Sequence, residues 1–231
     1  MTASSSNGSA TGGLIVAIDG PAGAGKSTVA SRLARRFGLL NLESGAMYRA
    51  FALKALRAGV ALYDGDALGT LAAETVIELE PSAESNRVLL DGEDVTALLR
   101  ATNVSDAASR VSVFPPVRER MVSLQQLMGV RGGVVMEGRD IGTVVFPHAQ
   151  VKIFLEASAA ARARRRFDQL GPQPEQTMEE VLRQIEARDL RDCTRADSPL
   201  KPASDAVLLD STALTLEQVV QATIAIVEKK I

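Results

Sequence analysis

Short apolar runs alternate along this chain with longer stretches whose apolar positions recur every three or four residues. The runs at 14–18, 39–42, 134–136, 151–155 and 207–209 are apolar at nearly every position. That is the pattern of strands in a parallel sheet covered on both faces. Stretches 26–37, 46–58, 116–128, 159–170, 178–192 and 216–229 have helical periodicity. Thr177 with Glu180, and Thr215 with Gln218, supply capping-box starts for the last two. This strand–helix alternation predicts an α/β fold, a parallel sheet flanked by helices.

One region breaks the alternation. Residues 75–80 and 87–90 are short, partly alternating runs separated by Pro-Ser-Ala-Glu-Ser-Asn, which predicts an antiparallel hairpin. With the short helices expected after it, 63–113 reads as an insertion rather than another strand–helix unit. The first 13 residues are small and polar and read as a disordered tail, leaving 14–231 as the folded domain.

Composition narrows the function classes. The 231 residues are 46% hydrophobic and 23% charged, enough for a sizeable core, and the formal net charge is only −2. No global field therefore recruits nucleic acid or a membrane surface. The single cysteine, Cys193, excludes an intrachain disulfide. The single histidine, His148, argues against a histidine-built zinc site or a Ser/His/Asp triad. No run approaches the ~18 apolar residues of a membrane span. The expectation is a cytoplasmic monomer that binds neither nucleic acid nor membrane.

The chemistry starts directly after the first apolar run. Gly20, Pro21, Ala22, Gly23, Ala24, Gly25, Lys26, Ser27 and Thr28 contain the pattern G-x-x-x-x-G-K-[ST], the P-loop, followed by a predicted helix. Glycines let backbone N–H groups converge on phosphate oxygens, and the helix points its positive end at the same place. Lys26 is placed for the β- and γ-phosphates of a nucleotide and the Ser27 hydroxyl for Mg²⁺. This loop alone leaves kinases, switches, motors and ATP-driven regulators open.

Four further groups bear on the choice. Ser44 and Arg49 follow the second predicted strand, where open α/β sheets bind ligands, and an arginine there can grip a phosphate bidentately. The run at 134–140 ends in Glu137, Gly138, Arg139 and Asp140, with Glu137 placed to hold Mg²⁺ through water. Arg188, Asp192 and Arg195 are spaced i, i+4, i+7, one helix face if the helix persists that far. Two arginines around one carboxylate suit nucleotide phosphate and sugar; the alternative is an ordinary intrahelical ion pair. Arg162, Arg164, Arg165 and Arg166 crowd like charges that need an anionic partner or free solvation. They read as a lid over a transferring phosphoryl group, at 158–178, hinged by Gly171-Pro172-Gln173-Pro174.

Taken together, "AIDGPAGAGKST", "ESGAMYRA", "EGRDIGTVVFP", "KIFLEAS", "RARRR" and "ARDLRDCTRADSPL" resemble the bacterial cytidylate kinase family from about residue 14 to 228. The resemblance implies a P-loop kinase fold with a five-stranded parallel core, a nucleoside-monophosphate-binding insertion at about 63–113 and a short lid. It implies transfer of the ATP γ-phosphate to CMP and dCMP, with Mg²⁺. By matching position, Ser44 and Arg49 resemble acceptor contacts. Ser109, Arg118 and Asp140 resemble the set that reads cytosine, Arg139, Arg188 and Arg195 phosphate or sugar contacts, and Asp192 the sugar-hydroxyl acceptor. Lys26, Arg162, Arg165 and Arg166 resemble the residues that stabilise the transferring group. Glu43 and Glu137 depart from the family's frequent aspartates by one methylene each. The rival readings are a P-loop kinase of another small molecule, such as adenylate or shikimate, and a non-enzymatic nucleotide switch.

Overall fold

The structure is a computed structural model, and it describes residues 13–81, 86–170 and 177–231. Strand β1 (Ile15–Asp19) runs through the glycine turn into α1 (Lys26–Phe37), and β2 (Leu40–Glu43) passes directly into α2 (Ser44–Arg57). Helix α3 (Gly65–Ala73) follows, then strands β3 (Ile77–Pro81), β4 (Asn86–Leu90) and β5 (Glu93–Asp94), and helix α4 (Thr102–Val111). The chain continues through α5 (Pro115–Met128), β6 (Val134–Gly138), β7 (Val151–Glu156), α6 (Ala159–Leu170), α7 (Met178–Thr194), β8 (Val207–Asp210) and α8 (Leu216–Glu228).

Five strands form one parallel sheet in the order β2-β6-β1-β7-β8. Along β1 successive side chains feed opposite faces, as a doubly covered strand requires. Val16 and Ile18 pack with Val29 and Leu33 of α1 and with Val219 and Val220 of α8. Ala17 packs on the other side with Met136, Ile141 and Phe146. A third cluster, around Met47, Phe51, Leu68, Val117 and Met121, joins α2 to α3 and α5. All five of those side chains are fully buried, worth roughly 1.5–3 kcal/mol each.

All five expected strands and six helices are present within a few residues of the expected bounds, and both capping boxes are formed. The hairpin is present as β3 and β4, with β5 added to the same antiparallel sheet. Helix α3, ahead of the hairpin, was not anticipated. The expected tail at 1–13 and hinge at 171–174 lie outside the described residues, except for Gly13.

The expectation for Arg195 needs correction. Helix α7 ends at Thr194, and Arg195 is extended, with φ −60° and ψ 142°. Ser198 follows at a positive φ of 49°, and Pro199 cannot continue a helix. Arg195 therefore reaches its neighbours from the loop, not from the helix face.

Candidate active site

The carboxyl ends of β1, β2 and β6 deliver Asp19, Glu43 and Glu137 to one rim of the sheet. The glycine turn lies on that rim. Gly20, Gly23 and Gly25 hold φ of 146°, 78° and 97°, values that a side chain would strain. A Cβ at Gly20 would also collide with the carbonyl of Leu155 on β7.

Lys26, at the start of α1, folds back over this loop. Its Nζ donates to the Pro21 carbonyl at 2.8 Å and lies 3.9 Å from Glu137. Burial, with Arg139 nearby, pulls its pKa down to about 7. The Ser27 hydroxyl donates to Glu137 Oε1 at 2.6 Å. A hydroxyl and a carboxylate so close, beside a phosphate cradle, are hard oxygen donors of the kind Mg²⁺ takes. The residues present suit that ion.

A cleft of about 730 Å³ opens over residues 22–29. It is walled by Arg165, Arg166, Gln184, Arg188 and Arg191, and by Leu214, Leu216 and Val219. A second, tighter pocket of about 50 Å³ adjoins it, and Arg49, Ser105, Ser109 and Arg188 line both. Five guanidiniums, those of Arg49, Arg118, Arg139, Arg188 and Arg195, there face two carboxylates, those of Asp140 and Asp192.

The pairing inside this pocket is specific. Arg118 donates to Asp140, with exposures of 4% and 7% for the two side chains, and its other terminal nitrogen bonds the Ser112 carbonyl at 3.2 Å. Arg195 approaches the second oxygen of Asp140 at 3.9 Å. Arg139 donates to Asp192 at 2.9 Å, and Arg188 lies 4.0 Å from the same carboxylate. Burial opposes the charge of Asp192, yet Arg139 and Arg188 hold its pKa below the ordinary value. Arg188 is pushed down to about 10, by burial first and then by Arg139. Among the described residues, Tyr48 Oη, Arg188 Nε and Arg195 Nη2 are buried without a hydrogen-bond partner. Ser44 donates to the Glu137 carbonyl at 2.7 Å, and Arg49 donates to Glu43.

A family model for cytidylate kinase matches residues 16–229. A cytidylate kinase of Pelotomaculum thermopropionicum is 52% identical over 212 residues, covering 91% of this chain and 94% of its own. Another, from Solibacter usitatus, is 49% identical and covers 94% of each chain. This chain belongs to the cytidylate kinase family. Among solved structures, an uncharacterized protein of Eubacterium ventriosum superposes with a TM-score of 0.50 at 12% identity, over 94% of this chain and 98% of that one. That likeness speaks to the fold alone.

Within this family member the four arginines expected to form a lid stand apart from one another. Arg162 is buried and tied down: it donates to the Ala22 carbonyl of the glycine turn at 3.1 Å and to both oxygens of Asp189 on α7 at 3.1 and 2.6 Å. Arg165 donates to the Ser211 carbonyl at 2.6 Å, after β8. Arg166 faces the large cleft. Arg164, exposed, pairs with Asp168. Sequence reasoning missed Asp189 and Ser211 as the partners of these arginines. It also missed Arg191, which donates to Ser109 Oγ at 3.2 Å and lies 3.5 Å from Asp106 on α4. The spacing Arg188, Arg191, Arg195 carried that last signal.

Proposed function

We propose that this cytidylate kinase family member transfers the γ-phosphoryl group of ATP to CMP and dCMP, giving ADP and the cytidine diphosphate. The observation that carries the reading is the excess of five guanidiniums over three carboxylates, Glu43 on Arg49 counted with Asp140 and Asp192, around a pocket that shares Arg49 and Arg188 with the P-loop cleft. A phosphate monoester dianion is what such a cluster lacks. At about 50 Å³ the pocket is well short of nucleotide size, with Arg118 drawn onto Asp140 and Arg139 onto Asp192 across it, while Arg188 Nε and Arg195 Nη2 keep no hydrogen-bond partner. Acceptor binding turns Arg49, Arg139 and Arg188 onto phosphate and frees Asp192 for the sugar, while Arg118 stays on Asp140.

In this reading the glycine turn and Lys26 hold the ATP phosphates, and Leu214, Leu216 and Val219 border the base end of the cleft. Ser44, Arg49, Arg139 and Arg188 take the acceptor phosphate, and Asp192 accepts from a sugar hydroxyl. Asp140, held by Arg118, accepts from the N4 amino group of cytosine, with Ser109 beside it; Arg195 supports Asp140 from the loop. Uracil presents a carbonyl where cytosine has that amino group, so Asp140 would face a second acceptor.

Phosphoryl transfer of this kind relies on alignment and charge neutralisation rather than covalent chemistry. The acceptor oxygen is already anionic at neutral pH and needs no general base. Ser27 directly, and Glu137 through water, would hold Mg²⁺, which supplies charge neutralisation between donor phosphates. Arg166 and Arg165 close over the donor, and Arg162 anchors the start of α6 to the glycine turn and to α7. Closure excludes water, which would otherwise take the phosphoryl group. We propose that the enzyme acts as a monomer on these small-molecule substrates. Among the described residues no helix is long and apolar enough to cross a membrane.

Steady-state rates with ATP and a panel of CMP, dCMP, UMP, AMP and shikimate test the reading. Highest kcat/KM with CMP and dCMP supports it; a preference for AMP or shikimate, or nucleotide binding without transfer, overturns it.

A further inference from the structure

Asp19 lines neither of the two pockets, yet it joins the two halves of the site. It is the last residue of β1 and immediately precedes the glycine turn, and in the sheet register it lies opposite Gly138 of β6. The two residues after Gly138 are Arg139 and Asp140, and a π turn, Ile141–Val145, follows them. The Asp19 side chain is buried, and its two oxygens accept separately from the first two N–H groups of that turn. Ile141 N donates to Oδ1 at 2.8 Å and Gly142 N to Oδ2 at 2.7 Å.

We propose that Asp19 is a positioning residue: by holding the start of the π turn it fixes Arg139 and Asp140, and with them the acceptor pocket, against the glycine turn. This rests on the assignment of Asp140 and Arg139 to the acceptor nucleotide. Asp140 has an irregular backbone, φ −147° and ψ 23°; its carbonyl accepts from Val144 N and Val145 N inside the turn, and Asp19 clamps the turn's first two N–H groups from outside. The clamp also explains Gly142. A Cβ there would lie 3.3 Å from Asp19 Oδ2 and 3.2 Å from Lys152 Cδ, tighter than side chains normally pack. A buried carboxylate beside Asp140 is electrostatically costly. Burial raises the Asp19 pKa to about 6, against the two N–H groups that lower it. Its position is therefore explained by what it holds, not by stability.

Asp19→Asn is nearly isosteric but turns an amide N–H₂ toward one of the two donors. The expected result is a CMP KM raised about ten- to a hundredfold, the scale of one lost charged hydrogen bond, with the CMP-to-UMP ratio of kcat/KM falling by a similar factor. The dissociation constant for ATP alone, by calorimetry, should stay within about threefold. Gly142→Ala displaces the same contact without changing any charge, and should shift CMP and UMP parameters in the same direction by less. It decides the matter if Asp19→Asn gives no cooperative melting transition. ATP and CMP parameters falling together, or both variants keeping wild-type discrimination, overturns the inference. If the wild type itself does not phosphorylate CMP, the proposed function and the inference fall together; if it does and the variants behave like it, the inference alone falls.

Discussion

Ser27 donates its hydroxyl hydrogen bond to Glu137 at 2.6 Å, joining the end of the glycine turn to the end of β6 across 110 residues of chain. The pair brings a hydroxyl and a buried carboxylate together on the rim, where they can share a hard cation. Glu137→Gln keeps the shape and one acceptor but removes the charge. The Mg²⁺ concentration for half-maximal rate should rise about ten- to a hundredfold, as for other groups that act on a metal through water. Unchanged Mg²⁺ dependence would remove Glu137 from that role.

Arg188 sits where the two pockets meet, and the folded protein holds it charged at a cost, since burial and Arg139 depress its pKa to about 10. At neutral pH it remains protonated. Arg188→Met should therefore leave the melting temperature unchanged or higher while cutting kcat with CMP by about two to three orders of magnitude, the range for removing one donor from a developing charge. Near-normal turnover would contradict its placement.

Asp140 is expected to read the base. Asp140→Ala should lower the CMP-to-UMP ratio of kcat/KM by about ten- to a hundredfold. It should also destabilise the fold by about 3–5 kcal/mol, because Arg118, with its side chain 4% exposed, loses its carboxylate. Denaturant unfolding gives the second number independently of the first. Retained discrimination would refute the base-reading role.

Much of this was legible in the sequence, because the fold writes its strands as apolar runs and its phosphate loop as glycines. Lys26, Ser27 and the rim residues Glu137, Arg139 and Asp140 follow from chain order alone. Three features were not legible. Arg195 lies on the helix face only if α7 persists that far, and α7 ends at Thr194, with the non-helical Ser198-Pro199 pair a few residues on as the available sign. Helix α3 hides behind Gly65 and Gly69; its Asp64 cap, which accepts from Ala67 N at 3.0 Å, was the only local cue. The contacts of Asp19 and Arg162 span 122 and 140 residues, and tertiary hydrogen bonds of that reach leave no periodicity to read.

Lys26 gives a proton-linked test. Burial, reinforced by Arg139, lowers its pKa to about 7, so in the free protein at pH 8 it is mostly neutral. Phosphate oxygens over the glycine turn favour the charged form and return the pKa toward its ordinary value of about 10.4. Binding of ATP without Mg²⁺ at pH 8 should take up close to one proton, read from calorimetry in buffers of different ionisation enthalpy. Zero uptake would show that Lys26 is already charged before ATP arrives.

The most direct measurement is a crystal structure of the enzyme with CMP and ADP. The account predicts the cytosine N4 amino group on Asp140, a sugar hydroxyl on Asp192, and the CMP phosphate between Arg49 and Arg188, facing the ADP β-phosphate on the glycine turn. CMP bound elsewhere, or bound there with its phosphate turned away from the glycine turn, would contradict it.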